Sequence, residues 1–411
     1  MVEVVVQRCV GIDVSKRDAK VCVRVQGRGS RKTSAQVTTW SATTPQILKL
    51  RAMLVEQQVE LVVMESTSDY WRPFFYLLSE QLNVILVRAT DVRALPGRKS
   101  DVSDAEWLAD LAAHGLVRAS FVPPESIRQL RDLTRARTFL FGERTREVQR
   151  LEKELEDACI KLAGVVSSLQ GLSSRAMLEA LVNREDDPAV LAELARGKLR
   201  ARIDELTEAL TGRVNDHHRF MVRFRLDRID QATTDIDRLD QRIDELVERE
   251  GFTAARDLIC SIPGIGKHGA EELVAEFGID MEVFATPAQM ASWVGVAPGS
   301  RESAGIKKRV RARPGNHYAK RALGIAAMSA TRSKTTFMSA RFRRIRSRQG
   351  YAKALIAVEH SIVIAIWHML SNGEYYQDLG ADYYNRRTPD RVLRRKIKDL
   401  EIAGYTVTKA A

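Results

Sequence analysis

The chain has 411 residues, a formal net charge of +12 at pH 7, 45% hydrophobic residues and 29% charged residues. This length supports two or three domains, and the composition excludes a disordered or collagen-like chain. Residues 301–350 hold 15 Lys or Arg and one acid, Glu302, so this stretch carries +14 and the other 361 residues together carry −2. A positive charge this concentrated indicates a polyanionic partner, of which nucleic acid is the commonest.

The first 125 residues predict an α/β domain. Strands are predicted at 9–14, 19–25, 35–39, 61–65 and 84–87, and helices at 45–58, 69–81 and 101–114. Three antiparallel strands extended by parallel β-α units are the arrangement of the ribonuclease H-like fold, although other α/β folds could carry the same order.

Two heptad series predict a pair of long, coiled-coil-like helices in the region 126–250. The first series comprises Phe141, Val148, Leu155 and Leu162 with Leu151 and Ala158, and the second comprises Ile229, Ile236 and Ile243 with Ala232, Leu239 and Leu246. The pattern leaves open whether the two helices pair within one chain or between chains. The predicted domains are thus 1–125, the helical region 126–250, a mainly helical C-terminal domain at 251–385 and a polar tail at 386–411.

Cysteine spacing and hydropathy bear on where the protein is found. The four cysteines are far apart with no C-x-x-C pair, so neither a zinc site nor a disulfide framework is predicted, and a reducing cytoplasm fits. The N-terminus lacks the features of a signal peptide. The apolar stretch 352–370 is interrupted by Lys353, Glu359, His360 and His368, which favours a buried helix over a membrane span.

Four carboxylates fall at positions where metal ligands are expected. Asp13 lies within the apolar first strand, and Glu65 ends the fourth strand, where open α/β sheets place their ligand sites. Asp101 and Asp104 share one face at the start of a helix, although either alone is most simply a helix cap. Taken together, the four predict a Mg²⁺ site that acts on phosphate oxygens.

The segment 263–269 (PGIGKHG) lies between two short predicted helices and resembles a helix-hairpin-helix turn. Gly264 and Gly266 would let backbone N–H groups approach a phosphate, and Lys267 adds positive charge. The alternative is an ordinary helical hairpin with glycine caps.

Ser303 lies in a loop of small residues among cations. A serine in such a loop can attack a phosphodiester while the cations stabilise the transition state, although composition alone favours a serine that only hydrogen-bonds phosphate. Residues 341–346 (RFRRIR) read as a surface facing nucleic acid, or as a solvated basic face. The cations assigned to nucleic-acid binding are Arg301, Lys307, Lys308, Arg309, Arg311, Arg313, Arg343 and Arg344.

Six segments, taken in order, resemble the DEDD-type insertion-sequence transposases, the family that includes the Piv-like invertases. They are GIDVSK, VVMEST, RKSDVSDAEWLAD, SIPGIGKHGA, WVGVAPGSRESAGIKKR and RPGNHYAKRAL, and the resemblance covers about residues 9–370. It implies a RuvC-like (ribonuclease H-like) domain in which Asp13, Glu65, Asp101 and Asp104 form the catalytic, metal-binding tetrad.

The resemblance also implies a C-terminal transposase domain in which Ser303 attacks DNA and becomes linked to it through a phosphodiester. It further implies guidance by a structured non-coding bridge RNA that pairs with donor and target DNA. This chain departs from many relatives in having Ile306 directly after the Ser-Ala-Gly triplet, with Lys307 one position later. The region 165–220 is longer than in a compact member and is interpreted as an insertion.

The leading hypothesis is therefore a DNA transposase or recombinase that excises and inserts a mobile element with Mg²⁺ as cofactor. Its expected partners are DNA, a bridge RNA and further copies of the same chain: a dimer through residues 127–250, and a tetramer on nucleic acid. A bacterial or archaeal cytoplasmic location near the nucleoid is expected, with no membrane partner. The alternatives are a RuvC-like structure-selective nuclease that uses water as nucleophile and a non-enzymatic nucleic-acid-binding protein.

Overall fold

A computed structural model describes residues 4–27, 33–66, 68–88, 104–299, 302–303, 306–307, 314–387 and 389–408. The chain divides into two compact units, Met1–Val122 and Pro123–Ala411.

The first unit is a five-stranded mixed sheet with helices on both faces. Its strands are β1 (Arg8–Val14), β2 (Asp18–Val25), β3 (Ser34–Ser41), β4 (Leu61–Glu65) and β5 (Val84–Val87), and its described helices are α1 (Thr44–Glu56), α2 (Trp71–Leu78) and α3 (Asp104–Ala113). The strand order is β3-β2-β1-β4-β5; β1 to β3 are antiparallel, and β4 and β5 run parallel to β1. The predicted α/β class is thus confirmed, and this order is compatible with a ribonuclease H-like domain.

Alternation along β1 assigns each face of the sheet to different helices. Val10, Ile12 and Val14 pack with residues of α1 and α2 in one core cluster. Cys9 packs against α3 on the opposite face, together with Val63 of β4. Because successive strand residues point to opposite faces, Gly11 and Asp13 share the α3 face with Cys9.

The described part of the second unit is almost entirely helical. Its helices are α4 (Glu125–Asp157), α5 (Leu162–Val165), α6 (Leu172–Val182), α7 (Pro188–Glu193), α8 (Ile203–Leu210), α9 (Asp216–Arg249), α10 (Thr253–Cys260), α11 (Lys267–Phe277), α12 (Pro287–Val294), α13 (His317–Ala330), α14 (Phe337–Gln349), α15 (Tyr351–Asn372), α16 (Tyr383–Arg387) and α17 (Pro389–Ile402). Short 3₁₀ helices span Gly197–Arg202 and Met281–Val283, and the two-residue strands β6 (Glu302–Ser303) and β7 (Ile306–Lys307) form a hairpin.

The two long helices α4 and α9 pair with each other within one chain and run antiparallel. Arg137 of α4 contacts Asp240 of α9, whereas Glu147, further along α4, accepts hydrogen bonds from Arg225 and Arg228, which come earlier in α9. The question that the heptads left open is thereby answered for the isolated chain: one chain supplies both helices of the pair.

The first heptad series ends sooner than its spacing suggests. Helix α4 stops at Asp157, so Leu162, the last member of the series, lies on the separate short helix α5. Cys159 adopts a left-handed conformation with φ of 61°, which ends the helix.

The region 165–220 folds as a small helical cap at one end of the long pair. Short helices α6, α7 and α8 bury Met177, Leu178, Leu191 and Leu206 in one cluster, and this cluster includes Leu155 of α4. The opposite end of the pair, at Ile127 and Leu246, joins a second core formed mainly by α10 to α15.

Helix α15 is long and apolar enough, by length and composition, to cross a membrane, and it is the one helix among the described residues that meets these criteria. Core helices of globular proteins meet them too. Here Val358, Ile362 and Ile366 of α15 are buried in the core of the second unit, as expected for the buried helix predicted from the sequence.

Candidate active site and nucleic-acid interface

Asp13 and Glu65 lie at the carboxyl ends of neighbouring parallel strands. The paired register of β1 and β4 ends with Ile12 opposite Met64, so Asp13 and Glu65 are the next residues on each strand. Side chains at equivalent positions of parallel strands point to the same face. Both carboxylates therefore belong to the α3 face of the sheet, and both are half-buried.

Helix α3 approaches β1 closely because position 11 carries no side chain. A Cβ atom at Gly11 would lie 2.1 Å from the carbonyl oxygen of Ala105 and 2.4 Å from the amide nitrogen of Ala109. The Cys9 thiol, two residues earlier on β1, lies 3.2 Å from the carbonyl oxygen of Ala109, four residues later on α3 than Ala105. Helix α3 therefore runs antiparallel to β1. This direction brings Asp104, the first residue of α3, to the end of β1 where Asp13 lies.

The electrostatics of Asp13 reflect this arrangement. Burial, and next the negative charge of Asp104, raise the pKa of the Asp13 carboxyl, while Lys20 and a backbone hydrogen bond involving Val14 act in the opposite direction. A cation beside the Asp13 carboxyl would offset both its burial and the nearby charge of Asp104. Asp13, Asp104 and Glu65 supply the carboxylate oxygens that a divalent cation prefers as ligands.

The predicted tetrad is described in part. Asp101 lies outside the described residues, and the residues that are described contain no group of three or more His, Cys, Asp or Glu side chains close enough to hold a metal ion. Among the described carboxylates, Asp104 acts on Asp13 through its charge, and strand register sets Glu65 beside Asp13.

In the second unit, the segment 261–266 joins α10 to α11 as a tight helical hairpin. Gly264 has φ of +98°, and a Cβ there would lie 2.5 Å from the amide nitrogen of Ala330 and 2.8 Å from the carbonyl oxygen of Ala326, both on α13. Gly266 precedes α11 as its N-cap, with open space around it. Gly264 thus serves the packing of the turn on α13, whereas Gly266 leaves the start of α11 accessible.

Lys267 lies at the start of α11 and forms an ion pair with Asp244 of α9, with the ammonium 2.6 Å from the nearer carboxylate oxygen. Both side chains are about half exposed. A surface pair of this kind is weak and exchanges readily with other charges. Lys267 can therefore leave Asp244 for a phosphate at little cost.

Ser303 lies in the hairpin of β6 and β7. Ser303 pairs with Ile306, and Glu302 pairs with Lys307, in antiparallel register. Five of the predicted nucleic-acid contacts lie outside the described residues: Arg301, Lys308, Arg309, Arg311 and Arg313.

The segment that contains this hairpin begins after α12 and ends before α13, and its two ends lie close together. A Cβ at Gly315, which has φ of +57°, would lie 2.0 Å from the carbonyl oxygen of Val294, the last residue of α12. Asn316 follows and caps α13, accepting hydrogen bonds from the amides of Tyr318 and Ala319. Val294 and Gly315, which lie on either side of the serine segment, are thus in contact.

A buried hydrogen-bond network, not predicted from the sequence, holds the start of α13 in place. The Glu276 carboxylate, 2% exposed, accepts two hydrogen bonds from Arg135 at 2.8 and 2.9 Å and one from the Asn316 amide at 2.7 Å. The Arg135 guanidinium also lies over the Tyr318 ring, 4.0 Å from its centre. Two features of the sequence could have indicated this network: Glu276 is an acid within an apolar helix face, and Asn316 comes directly before a helix.

Arg343 and Arg344 lie on α14 with exposed side chains. Arg343 donates to the carbonyl oxygen of Lys334, and Arg344 lies over the Tyr384 ring at 4.4 Å. Arg346 and Arg348 on the same helix are also exposed. This basic surface suits contact with a phosphate backbone.

Comparison with known proteins gives two family matches and one relative. Residues 10–160 match the DEDD_Tnp_IS110 family, described as a transposase, and residues 256–343 match the family described as "Transposase IS116/IS110/IS902 family". The chain is similar to the "Insertion element IS900 uncharacterized 42 kDa protein" of Mycobacterium paratuberculosis, with 27% identity over 307 residues. That match covers 68% of this chain and 73% of the relative.

Proposed function

The chain belongs to the IS110-type family of DEDD insertion-sequence transposases, and from this premise we propose that it cuts and rejoins DNA through a carboxylate site on its first unit and Ser303 on its second. The observation that supports the proposal is the close approach of α3 to Gly11, because α3 begins with Asp104 and runs antiparallel to β1, which carries Asp13. As a transposase the protein is an enzyme that acts on DNA.

The carboxylate site comprises Asp13, Glu65, Asp101 and Asp104, which would hold the divalent cation, Mg²⁺, that DEDD transposases use. When bound, such a cation polarises a scissile phosphate and neutralises its developing charge. The protein holds like charges near each other: the close packing of α3 on β1 keeps Asp104 near Asp13, although burial, and next the charge of Asp104, raise the pKa of Asp13.

Ser303 is the proposed nucleophile. Its oxygen attacks the phosphorus atom, a phosphodiester to serine forms, the bond to the leaving deoxyribose oxygen breaks, and the serine proton passes to solvent or a nearby base. Arg301 and Lys307 stabilise the charge on the phosphoryl oxygens. Because the energy of the broken bond is kept in the serine ester, the strand can be rejoined without a nucleotide cofactor.

Nucleic-acid binding is proposed to use three surfaces of the second unit: the start of α11, the cations around the serine hairpin, and α14. Gly266 and Lys267 supply an accessible helix N-terminus and a cation. The family resemblance assigns target choice to a bridge RNA, and a cytoplasmic, nucleoid-associated location follows from these partners.

The resemblance also favours an oligomer in which the serine of one subunit meets the carboxylates of another. Because α4 and α9 pair within one chain, contacts between chains must use other surfaces of these helices, such as the exposed Phe139, Phe220 and Phe224. We propose a dimer through residues 127–250 and a tetramer on nucleic acid.

Cleavage and complementation assays test this function. Asp13→Asn should abolish strand cleavage and leave nucleic-acid binding largely intact, because binding depends on the second unit; Asp18→Asn, on the adjacent strand β2, is the matched control. Mixing Asp13→Asn with Ser303→Ala subunits should restore some activity if sites are shared between chains. Normal cleavage by Asp13→Asn would remove the carboxylates from the mechanism.

A further inference from the structure

A cavity of 550 Å³ lies in the second unit between the start of α14, one face of α15 and the segment 374–379 that follows α15. Most of its lining is C-terminal to residue 343, where the second family match ends. The volume is within the range of about 300–1,000 Å³ typical of small-ligand sites. No residue of this lining belongs to the carboxylate site or to the serine hairpin.

The walls of the cavity are fixed by hydrogen bonds. The Asp378 carboxylate accepts from the amide of Phe337 at 3.0 Å and from the amide of Gly380 at 2.7 Å, which fastens the 374–379 segment to the start of α14. The Tyr376 amide donates to the Ser261 hydroxyl at 3.0 Å. The cavity is therefore formed before any ligand arrives, which lowers the entropic cost of binding.

The lining suits a flat, mainly apolar group. Met338, Ala365 and Met369 give an apolar floor, while Phe337 and Tyr375 give aromatic walls. Tyr375 is 63% exposed, so its ring is accessible for stacking. Aromatic rings beside an apolar floor are the surroundings in which proteins hold unstacked bases.

Arg341 and His360 are two of the polar side chains that line the same space, which also include Ser361, His368, Asn372, Glu374 and Gln377. The Arg341 guanidinium is held in place, since Nε donates to the carbonyl oxygen of Ala357 at 3.2 Å and Nη1 to the Tyr384 hydroxyl at 3.3 Å. Burial, and next the charge of Arg341, lower the pKa of His360, so its imidazole is neutral at pH 7 and offers one donor and one acceptor. A neutral heterocycle with donors and acceptors on its edge matches this pair.

The cavity is connected to the basic surface of α14. Arg344 lies over the ring of Tyr384, and the hydroxyl of the same tyrosine accepts from Arg341. A strand whose phosphates follow the exposed arginines of α14 would thus pass close to the mouth of the cavity.

We propose that this cavity receives one unstacked base from a single-stranded segment of nucleic acid whose phosphates contact α14. The proposal deepens the nucleic-acid binding proposed above and rests on it. It assigns to Arg341 and His360 contact with the base edge, and to Tyr375 contact with its face.

The test compares binding of single-stranded oligothymidylate with binding of an equally long strand of abasic residues. Stacking of one base is worth about tenfold in affinity. We expect the ratio of the two dissociation constants to fall about tenfold in Ala365→Phe, which fills the cavity. Ala352→Phe, an equal change at an exposed position of the same helix, should keep the wild-type ratio. Arg343→Ala should weaken binding of both strands alike and reduce its salt dependence.

A second measurement needs no variant of the cavity. Strands that carry 4-thiothymidine are photocrosslinked to the wild-type protein, and the adducts are mapped by mass spectrometry; we expect adducts within 337–341 or 360–377. Adducts confined to other regions, or an unchanged ratio in a folded Ala365→Phe protein, would overturn the base site while leaving the transposase function intact. A wild-type protein that binds neither strand would overturn both the base site and the proposed binding of nucleic acid by α14.

Discussion

Replacing Gly11 with alanine should push α3 away from β1 and disable the carboxylate site. The new Cβ would lie 2.1 Å from the Ala105 carbonyl oxygen, against 3.4 Å for ordinary contact, so the helix must withdraw by the difference, 1.3 Å, or the strand must distort. Overpacking typically costs about 1–3 kcal/mol, and we expect about 3 because the opposing atoms belong to backbone and cannot rotate aside. A displacement of about 1 Å at a catalytic group costs roughly a hundredfold in rate.

Urea unfolding and strand cleavage measure the two effects of this substitution. Gly142→Ala is the matched control, because a Cβ there would meet only the flexible Arg146 guanidinium at 3.7 Å and the position lies inside α4. That substitution should stabilise the protein by about 0.5–1 kcal/mol. A Gly11→Ala protein with wild-type stability and cleavage would refute the assigned packing of α3.

Three further substitutions test the charges and the buried network. Burial, and next the charge of Asp104, raise the pKa of Asp13, so the folded protein loses stability as pH rises through that pKa. In EDTA, Asp13→Asn should therefore be more stable than the wild type near pH 7 and lose this advantage below the ordinary pKa of 3.8. Its melting temperature should not rise with Mg²⁺. Asn316→Ala removes a helix cap and a partner of a buried carboxylate, and in urea unfolding it should cost about 2–3 kcal/mol, against about 1 for the exposed cap Asn215→Ala. Arg137→Met leaves the fully buried Glu271 unpaired and should cost about 3–5 kcal/mol, most of which an added Glu271→Leu should recover.

Local patterns predicted the elements of the first unit well. The apolar runs at 61–65 and 84–87 match β4 and β5 in full, because a buried parallel strand is a continuous apolar stretch bounded by polar residues. Helix α2 is shorter than the predicted 69–81, since it begins at Trp71 and ends at Leu78. Ends of helices depend on capping geometry that periodicity does not record.

Contacts between distant residues were not predictable from one sequence. Nothing near Gly11 indicates that the backbone of α3, more than 90 residues later, lies against it. The same heptads would serve a pair within one chain or between chains, so the antiparallel pairing of α4 and α9 emerges from the structure alone. The bonds from Arg135 and Asn316 to Glu276 likewise join segments that are far apart in the chain.

The sequence predicted which carboxylates belong to the candidate site, whereas their relative positions depend on the fold. Asp13 and Glu65 could be placed together because parallel strands of one sheet end at one edge. The position of Asp104 relative to Asp13 follows from the direction of α3, which the sequence does not give.

The most direct test of the account is the identity of the nucleophile. The protein is incubated with end-labelled DNA from the element terminus, its RNA and Mg²⁺, and is then denatured and digested. The account predicts that label stays on the protein through Ser303 and that Ser303→Ala neither cuts DNA nor retains label, whereas Ser300→Ala does both. Cleavage by Ser303→Ala, or a wild-type reaction that cuts DNA without a phosphoserine adduct, would contradict it and identify water as the nucleophile.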